Sequence, residues 1–412
     1  MTRRQLALSS LLVVASRGVV RLLGLLSFLM VVRFLPPEDV GRFGVISGVL
    51  TLGAVVATGG LRHAAARAVG RRRSALATVV VVIILVAPIS AAFATLVGWA
   101  VLQDPIFSQP AMGAFVLYIG VWATAFGSML QGTLLGLGNL RAYNSSDITP
   151  RAATTAALVV AAFSFDLNLQ LALIIYVVGA ILQAPIILAA IRHDLTAPVD
   201  RHEAKEVLIS SLSLGVGYVV SSFAMRISLF AVDSLHGPVV AGQYFVAMRL
   251  GEITLEVAAA VSLIVLSETS RNSNPSSQAA SMTLAGITMY LFVGIAIAGC
   301  IAAPMLPALV GVEYENAIPT LRVVLLGIAP AGVASILYAL VAGMGHATFG
   351  ALLLLLSSVL NVVIVIALPY SLEAVRGAAG LAFGQLFVAL ALVAFAWFKL
   401  RISPRSLLMP WR

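Results

Sequence analysis

Long apolar runs, separated by short polar connections, make up most of the chain. Twelve of these runs are long enough to cross about 30 Å of hydrocarbon as helices. The predicted spans are 6–34, 43–66, 75–101, 111–138, 150–165, 169–191, 207–232, 239–266, 280–303, 319–343, 347–369 and 375–398. Prolines inside spans, such as Pro88 and Pro330, are compatible with them because packed neighbours can satisfy the freed backbone groups. The pattern therefore predicts an all-α, multi-pass membrane protein.

Composition supports this interpretation and excludes several classes of function. The chain is 61% apolar and 10% charged, whereas soluble domains are about 25% charged. The net charge of +9 is not gathered into a polar basic domain, so nucleic-acid binding is not expected. The single cysteine, Cys300, excludes an internal disulfide framework.

The positions of arginine and lysine predict the topology. With the N-terminus inside, the cytoplasmic connections hold most of these residues, and the outer connections hold only Arg33, Arg42, Arg322 and Arg376. This asymmetry predicts that both termini are cytoplasmic. Four arginines lie within spans and are not explained by topology, namely Arg17, Arg21, Arg226 and Arg249.

Two motifs recur at similar offsets. "VGRFGV" at 40–45 resembles "AGQYFV" at 241–246, and "LLGLGNL" at 134–140 resembles "VAGMGHA" at 341–347. The offsets of 201 and 207 residues agree with a repeat of six helices. We therefore predict two parallel six-helix lobes, at 1–191 and 207–412, joined by a charged cytoplasmic linker at 192–206. In transporters of this kind the substrate site lies between the halves, near the bilayer midplane.

Several stretches resemble the bacterial polysaccharide-biosynthesis flippases of the multidrug/oligosaccharidyl-lipid/polysaccharide exporter superfamily. These are "VVRFLPPEDVGRFGV", "GGLRHAAAR", "VAGQYFVAMRLGEI", "LVGVEYENAIPTLRVV" and "VRGAAGLAFGQ", which occur in this order along the chain. The resemblance implies two lobes around a central cavity and alternating access for a polyprenyl-pyrophosphate-linked oligosaccharide. It also implies a location in the bacterial inner membrane. The chain departs from the family in "AMRISLFAVD", where many relatives place an acidic residue closer to the arginine.

The arginines within spans are the predicted pyrophosphate site. Arg17 and Arg21 are one helical turn apart, and neither reaches a membrane interface easily. Arg226 has a comparable position in the seventh span. The planar guanidinium group of arginine can bind phosphate through two hydrogen bonds at once. The alternative is that these arginines bind carbonyl or carboxylate groups elsewhere in the helix bundle.

The eighth span places Arg249, Glu252 and Glu256 on one helix face. Arg249 is a further candidate for pyrophosphate binding, but an internal Arg249–Glu252 pair that neutralises itself is the favoured interpretation. Glu256 has no arginine one turn away, and a carboxylate at that depth could carry a proton. Glu256 and Glu252 are therefore candidates for ion coupling.

Weaker candidates lie at the membrane surface. The cluster "RHAAARAVGRRR" at 62–73 is explained by topology and by anionic lipid headgroups, although Arg62 and His63 could receive the pyrophosphate first. Asp147, before the fifth span, is predicted to cap that helix. Spacing indicates neither a catalytic constellation nor a metal site, and no cofactor is expected.

Three other functions remain open. A multidrug exporter of organic cations would need an acid-lined cavity, which the buried arginines disfavour. A polysaccharide polymerase or ligase would carry a large outer loop, but the outer connections are short. A scaffold without transport would not need charge within the membrane. The expected partners are the lipid-linked oligosaccharide and membrane lipids, together with a polymerase or export machinery.

Overall fold

Every regular element described in the structure is a helix. The computed structural model describes residues 3–102, 110–271 and 275–401. Within these ranges the α-helices are α1 (Arg3–Phe34), α2 (Pro37–Thr58), α3 (Leu61–Arg71), α4 (Ala75–Val101), α5 (Pro110–Leu137), α6 (Leu140–Ser164), α7 (Leu169–Ile181), α8 (Gln183–Ile191), α9 (Arg201–His236), α10 (Pro238–Arg271), α11 (Pro275–Ala302), α12 (Leu306–Val310), α13 (Ala317–Gly343), α14 (Ala347–Ala367) and α15 (Ala374–Phe398). Short 3-10 turns follow α8, α11, α12 and α14.

The helices are long and apolar enough for a multi-pass membrane protein. Among the described residues, nine helical stretches have the length and hydropathy to cross a bilayer. Helices α1, α6 and α10 are of similar length, with 32, 25 and 34 residues, and carry charged residues along their course. Since 25 residues of helix extend about 37 Å, these three are also long enough to span. The all-α prediction and its set of twelve long helical stretches are therefore confirmed.

Two predicted boundaries were wrong. The second span was expected to run through 43–66, but the helix ends at Thr58, and α3 begins at Leu61 after Gly59 and Gly60. Both glycines have positive φ, of 50° and 81°, a conformation that glycine adopts without the steric cost of a Cβ.

The fifth span begins earlier than predicted. Helix α6 starts at Leu140, where Asn139 Oδ1 accepts a hydrogen bond from the Ala142 amide at 3.2 Å. Asp147 was expected to cap this helix but lies inside it, where it accepts a hydrogen bond from Arg151 Nε at 3.1 Å. The polar stretch before residue 150 is part of the helix and is partly buried: Tyr143 and Ser146 are buried, and Ser146 Oγ accepts a hydrogen bond from Gln131 Nε2 of α5 at 3.4 Å.

The described helices group into two compact units. The first unit comprises Met1–Leu35 and Ile46–Val219, and the second comprises Pro36–Val45 and Val220–Arg412. The boundary between the two units, at Val219 and Val220, falls within α9. This helix begins at Arg201, inside the charged stretch, and continues to His236. These packing units do not coincide with the lobes predicted at 1–191 and 207–412, which stay a prediction about the sequence repeat.

Helix α13 forms the centre of the second unit. It packs against α10, α11 and α15, and its side chains Ile336, Leu337 and Leu340 are fully buried. Small residues allow this close packing: a Cβ added at Gly332 would collide with the ring of Phe292. In the first unit, α5 packs against α3, α4 and α7.

The repeated motif after α5 and α13 forms the same turn twice. Gly138 and Gly345 both have positive φ, of 69° and 87°. The next amide, of Asn139 or His346, donates to a carbonyl five residues earlier at 3.0 Å in both cases. This is the Schellman arrangement that ends a helix with glycine. The shared geometry supports the internal repeat.

The other repeated motif brings two helices into close contact within the second unit. A Cβ added at Gly41 of α2 would collide with the Pro238 carbonyl and lie 2.8 Å from the Gly242 amide nitrogen. A Cβ at Gly242 would in turn collide with the Pro37 carbonyl. Each glycine therefore faces the start of the other helix, and both lie at equivalent positions of the repeat.

We expect Gly41→Ala to destabilise the protein, because the added methyl group has no space unless the helices separate. Overpacking of this kind costs about 1–3 kcal/mol. The control is Gly294→Ala in α11, where nothing lies within 4 Å of the added Cβ. Thermal unfolding of the purified variants should give a lower transition for Gly41→Ala and no decrease for Gly294→Ala. Equal transitions would contradict the tight crossing.

Candidate functional site

Three of the predicted site residues form one ionic cluster in the second unit. Arg226 lies in α9, and Arg249 and Glu252 lie one turn apart in α10. Arg226 Nη2 is 3.3 Å from Glu252 Oε1, and Arg249 Nη1 is 2.9 Å from Glu252 Oε2. Each carboxylate oxygen thus contacts a different guanidinium group. We call these three residues the Arg226–Glu252–Arg249 triad.

The triad carries a net positive charge in a largely buried setting. The exposed fractions of the side chains are 14% for Arg226, 17% for Glu252 and 32% for Arg249. The triad contains two guanidinium groups and one carboxylate, so cationic groups outnumber anionic ones among its three members. Because a charge removed from water is stabilised mainly by an opposite charge, such a cluster favours an anionic ligand.

An apolar cavity adjoins the triad on the side of Glu252. It lies between α9, α10, α13 and α15. Its wall includes Met225, Met248 and Ile328, and its polar side chains are Glu252 and Gln385. The Gln385 amide approaches the Met225 sulfur at 3.9 Å. Glu252 therefore lines an apolar cavity and also contacts two guanidinium groups.

The internal Arg249–Glu252 pair foreseen from the spacing is present, but it is only part of the cluster. Arg226 joins it from a separate helix, and this contact was not predicted from the sequence. The short connection between α9 and α10, which is the single residue Gly237, could have indicated the contact between Arg226 and Glu252. So short a connection makes the helices antiparallel, and Arg226 and Glu252 then lie at similar depths.

The remaining predicted residues are not part of this cluster as described. Arg17 and Arg21 lie on α1 in the first unit, where the Arg21 side chain is exposed. The side chains of Arg17 and Glu256 lie outside the described residues. Their proposed roles therefore stay predictions from the sequence.

Arg62 also belongs to the first unit. It lies in the first turn of α3, and its Nη2 donates a hydrogen bond to the Tyr143 hydroxyl at 2.9 Å. Burial, and then the Arg62 guanidinium, lower the pKa of the neighbouring His63. The same stretch also holds four exposed arginines: Arg67 and Arg71 lie in α3, and Arg72 and Arg73 directly follow it.

A buried polar contact near Arg226 was not predicted from the sequence. Asn361 of α14 donates from Nδ2 to the Ser228 hydroxyl at 2.7 Å, two residues beyond Arg226 in α9. Both side chains are buried, with exposed fractions of 0% for Ser228 and 2% for Asn361. Neither residue type stands out in an apolar run, because a single serine or asparagine occurs in many packed helices.

Arg376 was assigned to an outer connection, but the structure buries it in the first turn of α15. Its Nη2 donates to the Ile366 carbonyl at 2.9 Å, and its Nη1 lies 3.0 Å from His236 Nε2. These contacts join the ends of α9, α14 and α15. This arginine therefore has a structural role.

A family comparison identifies the chain. The sequence model of the family described as "Polysaccharide biosynthesis protein" matches residues 7–266. The chain belongs to the polysaccharide biosynthesis protein family. No curated protein matches the chain significantly.

Solved structures of the same fold are transporters. An inward-facing multidrug resistance MATE family transporter of the MOP superfamily is similar over 94% of this chain and 95% of its own, with a TM-score of 0.75 and 16% identity. Lipid II flippase MurJ, in an inward closed conformation, is similar over 97% and 90%, with a TM-score of 0.74 and 15% identity. A MOP superfamily transporter from Pyrococcus furiosus, described as having a binding pocket of reverse polarity, is similar over 95% and 93%, with a TM-score of 0.67 and 16% identity.

At these identities the structural likeness shows a shared fold. The family match adds the relation to polysaccharide biosynthesis. Together they assign this family member to the multidrug/oligosaccharidyl-lipid/polysaccharide exporter superfamily of multi-pass membrane transporters, and the resemblance recognised in the sequence is confirmed.

Proposed function

We propose that this protein is a flippase for an anionic, polyprenyl-pyrophosphate-linked oligosaccharide. It would carry a polysaccharide or O-antigen repeat unit from the cytoplasmic to the outer leaflet of the bacterial inner membrane. The observation that carries the proposal is the Arg226–Glu252–Arg249 triad, with two guanidinium groups and one carboxylate between helices long enough to span the membrane. Guanidinium groups bind phosphate oxygens through paired, charge-assisted hydrogen bonds.

The comparisons support this substrate class indirectly. The family is described by polysaccharide biosynthesis, and one protein of the same fold is described as a lipid II flippase. The reverse pocket polarity reported for another protein of this fold is consistent with pocket charge varying with substrate within the superfamily. In this chain the sign of the triad favours an anion.

Transport would proceed by alternating access without a covalent step. The six-helix lobes at 1–191 and 207–412 would rock around the substrate, and the linker at 192–206 and both termini would remain cytoplasmic. Arg17 and Arg21 would extend the cationic surface offered to the pyrophosphate, and Arg62 would contact it near the cytoplasmic side. Coupling to an ion through Glu252 or Glu256 is part of the same proposal, as is association with a polymerase or export machinery.

An organic-cation exporter is the main alternative, because the fold is shared with multidrug transporters. The binding site of such a protein would need at least as many carboxylates as arginines. The triad has the opposite balance.

Transport by the reconstituted protein distinguishes the two functions. Vesicles of phosphatidylethanolamine and phosphatidylglycerol would contain a fluorescent oligosaccharide linked to undecaprenyl pyrophosphate. With the protein present, we expect a membrane-impermeant quencher to quench the labelled lipid of both leaflets, because lipid from the inner leaflet reaches the outer one. In vesicles without the protein, it should quench only the labelled lipid of the outer leaflet. Ethidium loaded into parallel vesicles should not be transported. Ethidium transport without lipid movement would contradict the proposal and favour the cation exporter.

A further inference from the structure

Glu252 occupies the position that a phosphate group would take on the two arginines. Its oxygens are divided between Arg226, at 3.3 Å, and Arg249, at 2.9 Å. A carboxylate and a phosphate present similar oxygen acceptors to guanidinium groups. We propose that Glu252 is an internal substitute for the substrate's pyrophosphate, which displaces it on binding; this inference rests on the proposed function.

The geometry makes this displacement local. Arg226 is on α9 and Glu252 is on α10, so rotation of the Glu252 side chain breaks their contact without a shift of either helix. Arg249 is three residues from Glu252 on the same helix, so these two residues can remain close after Arg226 is released. The vacated guanidinium group of Arg226 can then bind a phosphoryl oxygen.

The exchange explains why a carboxylate lies in an anion site. Two neighbouring cations without a counterion would be costly in a partly buried setting, so Glu252 lowers the cost of the empty site. When the pyrophosphate binds, the displaced carboxylate loses one partner and lies beside an apolar cavity. Since this loss opposes binding, Glu252 weakens the affinity and speeds release of the substrate.

The variant Glu252→Gln distinguishes this role from a purely structural one. Glu252→Gln keeps the size of the side chain and removes the competing charge, so we expect the affinity for undecaprenyl pyrophosphate to rise about tenfold, the usual scale for one charge-assisted contact. Turnover at saturating substrate should fall, because release becomes slower. Glu252→Asp, which keeps the charge on a shorter side chain, should bind less tightly than Glu252→Gln.

The experiment measures the binding of undecaprenyl pyrophosphate to the purified full chain in nanodiscs by native mass spectrometry. Undecaprenol, which lacks the pyrophosphate, is the neutral lipid for comparison. Glu315→Gln is the matched control, since Glu315 is exposed and outside the triad and its change alters the net charge equally. We expect tighter binding for Glu252→Gln alone. If the wild type binds the probe and Glu252→Gln binds equally or more weakly, the inference fails and the proposed function stands. If neither binds it, both fail.

Discussion

Arg226→Gln combined with Arg249→Gln is expected to reduce lipid flipping by at least about 100-fold, because each guanidinium group contributes about 1.5–3 kcal/mol through charge-assisted hydrogen bonds. The double variant also leaves Glu252 without the two partners that lie at 3.3 and 2.9 Å in the wild type. An unpaired carboxylate would repel the pyrophosphate. The initial rate of flipping in reconstituted vesicles measures the effect.

The same change could act by destabilising the fold, since an unpaired buried charge is costly. The triple variant, with Glu252→Gln added, removes that charge and should restore the amount of folded protein. It should not restore flipping, because no guanidinium group remains in the triad. Arg322→Gln, which removes an exposed arginine, should behave like the wild type. A triple variant that flips normally would show that the triad has no part in substrate binding.

Much of the fold could be predicted from the sequence because the membrane restricts the possible structures. An apolar run that crosses hydrocarbon must satisfy its own backbone groups, so it is a helix. The prediction was wrong where local or tertiary interactions decide the boundary. Glycine's freedom at positive φ separates α2 from α3, and the polar start of α6 is partly buried and accepts a hydrogen bond from Gln131 of α5.

The candidate site was predicted in parts. Arg249 and Glu252 are three residues apart in one helix, and that spacing alone predicts their contact. The contact of Arg226 with the same carboxylate depends on how α9 and α10 meet, which periodicity does not give. The buried Ser228–Asn361 contact joins residues 133 positions apart and has no linear signal.

Arg17 and Arg21 are the other two arginines that we propose contact the pyrophosphate. They are one turn apart on α1, with about 16 Å of helix between Arg17 and Leu6 and about 20 Å between Arg21 and Phe34. At this depth two guanidinium groups are costly unless they bind an anion or another polar group.

Arg17→Ala with Arg21→Ala should therefore abolish surface polysaccharide in a flippase-deficient bacterium complemented with this chain, at matched membrane expression. Arg17→Lys with Arg21→Lys should retain part of it, because lysine keeps the charge but loses the planar fork. Arg71→Ala with Arg72→Ala, a pair of exposed arginines at the end of α3, controls for the loss of two charges and should leave function intact. If the alanine and lysine variants on α1 both work normally, these arginines do not bind the substrate, and the pyrophosphate site is confined to residues outside α1.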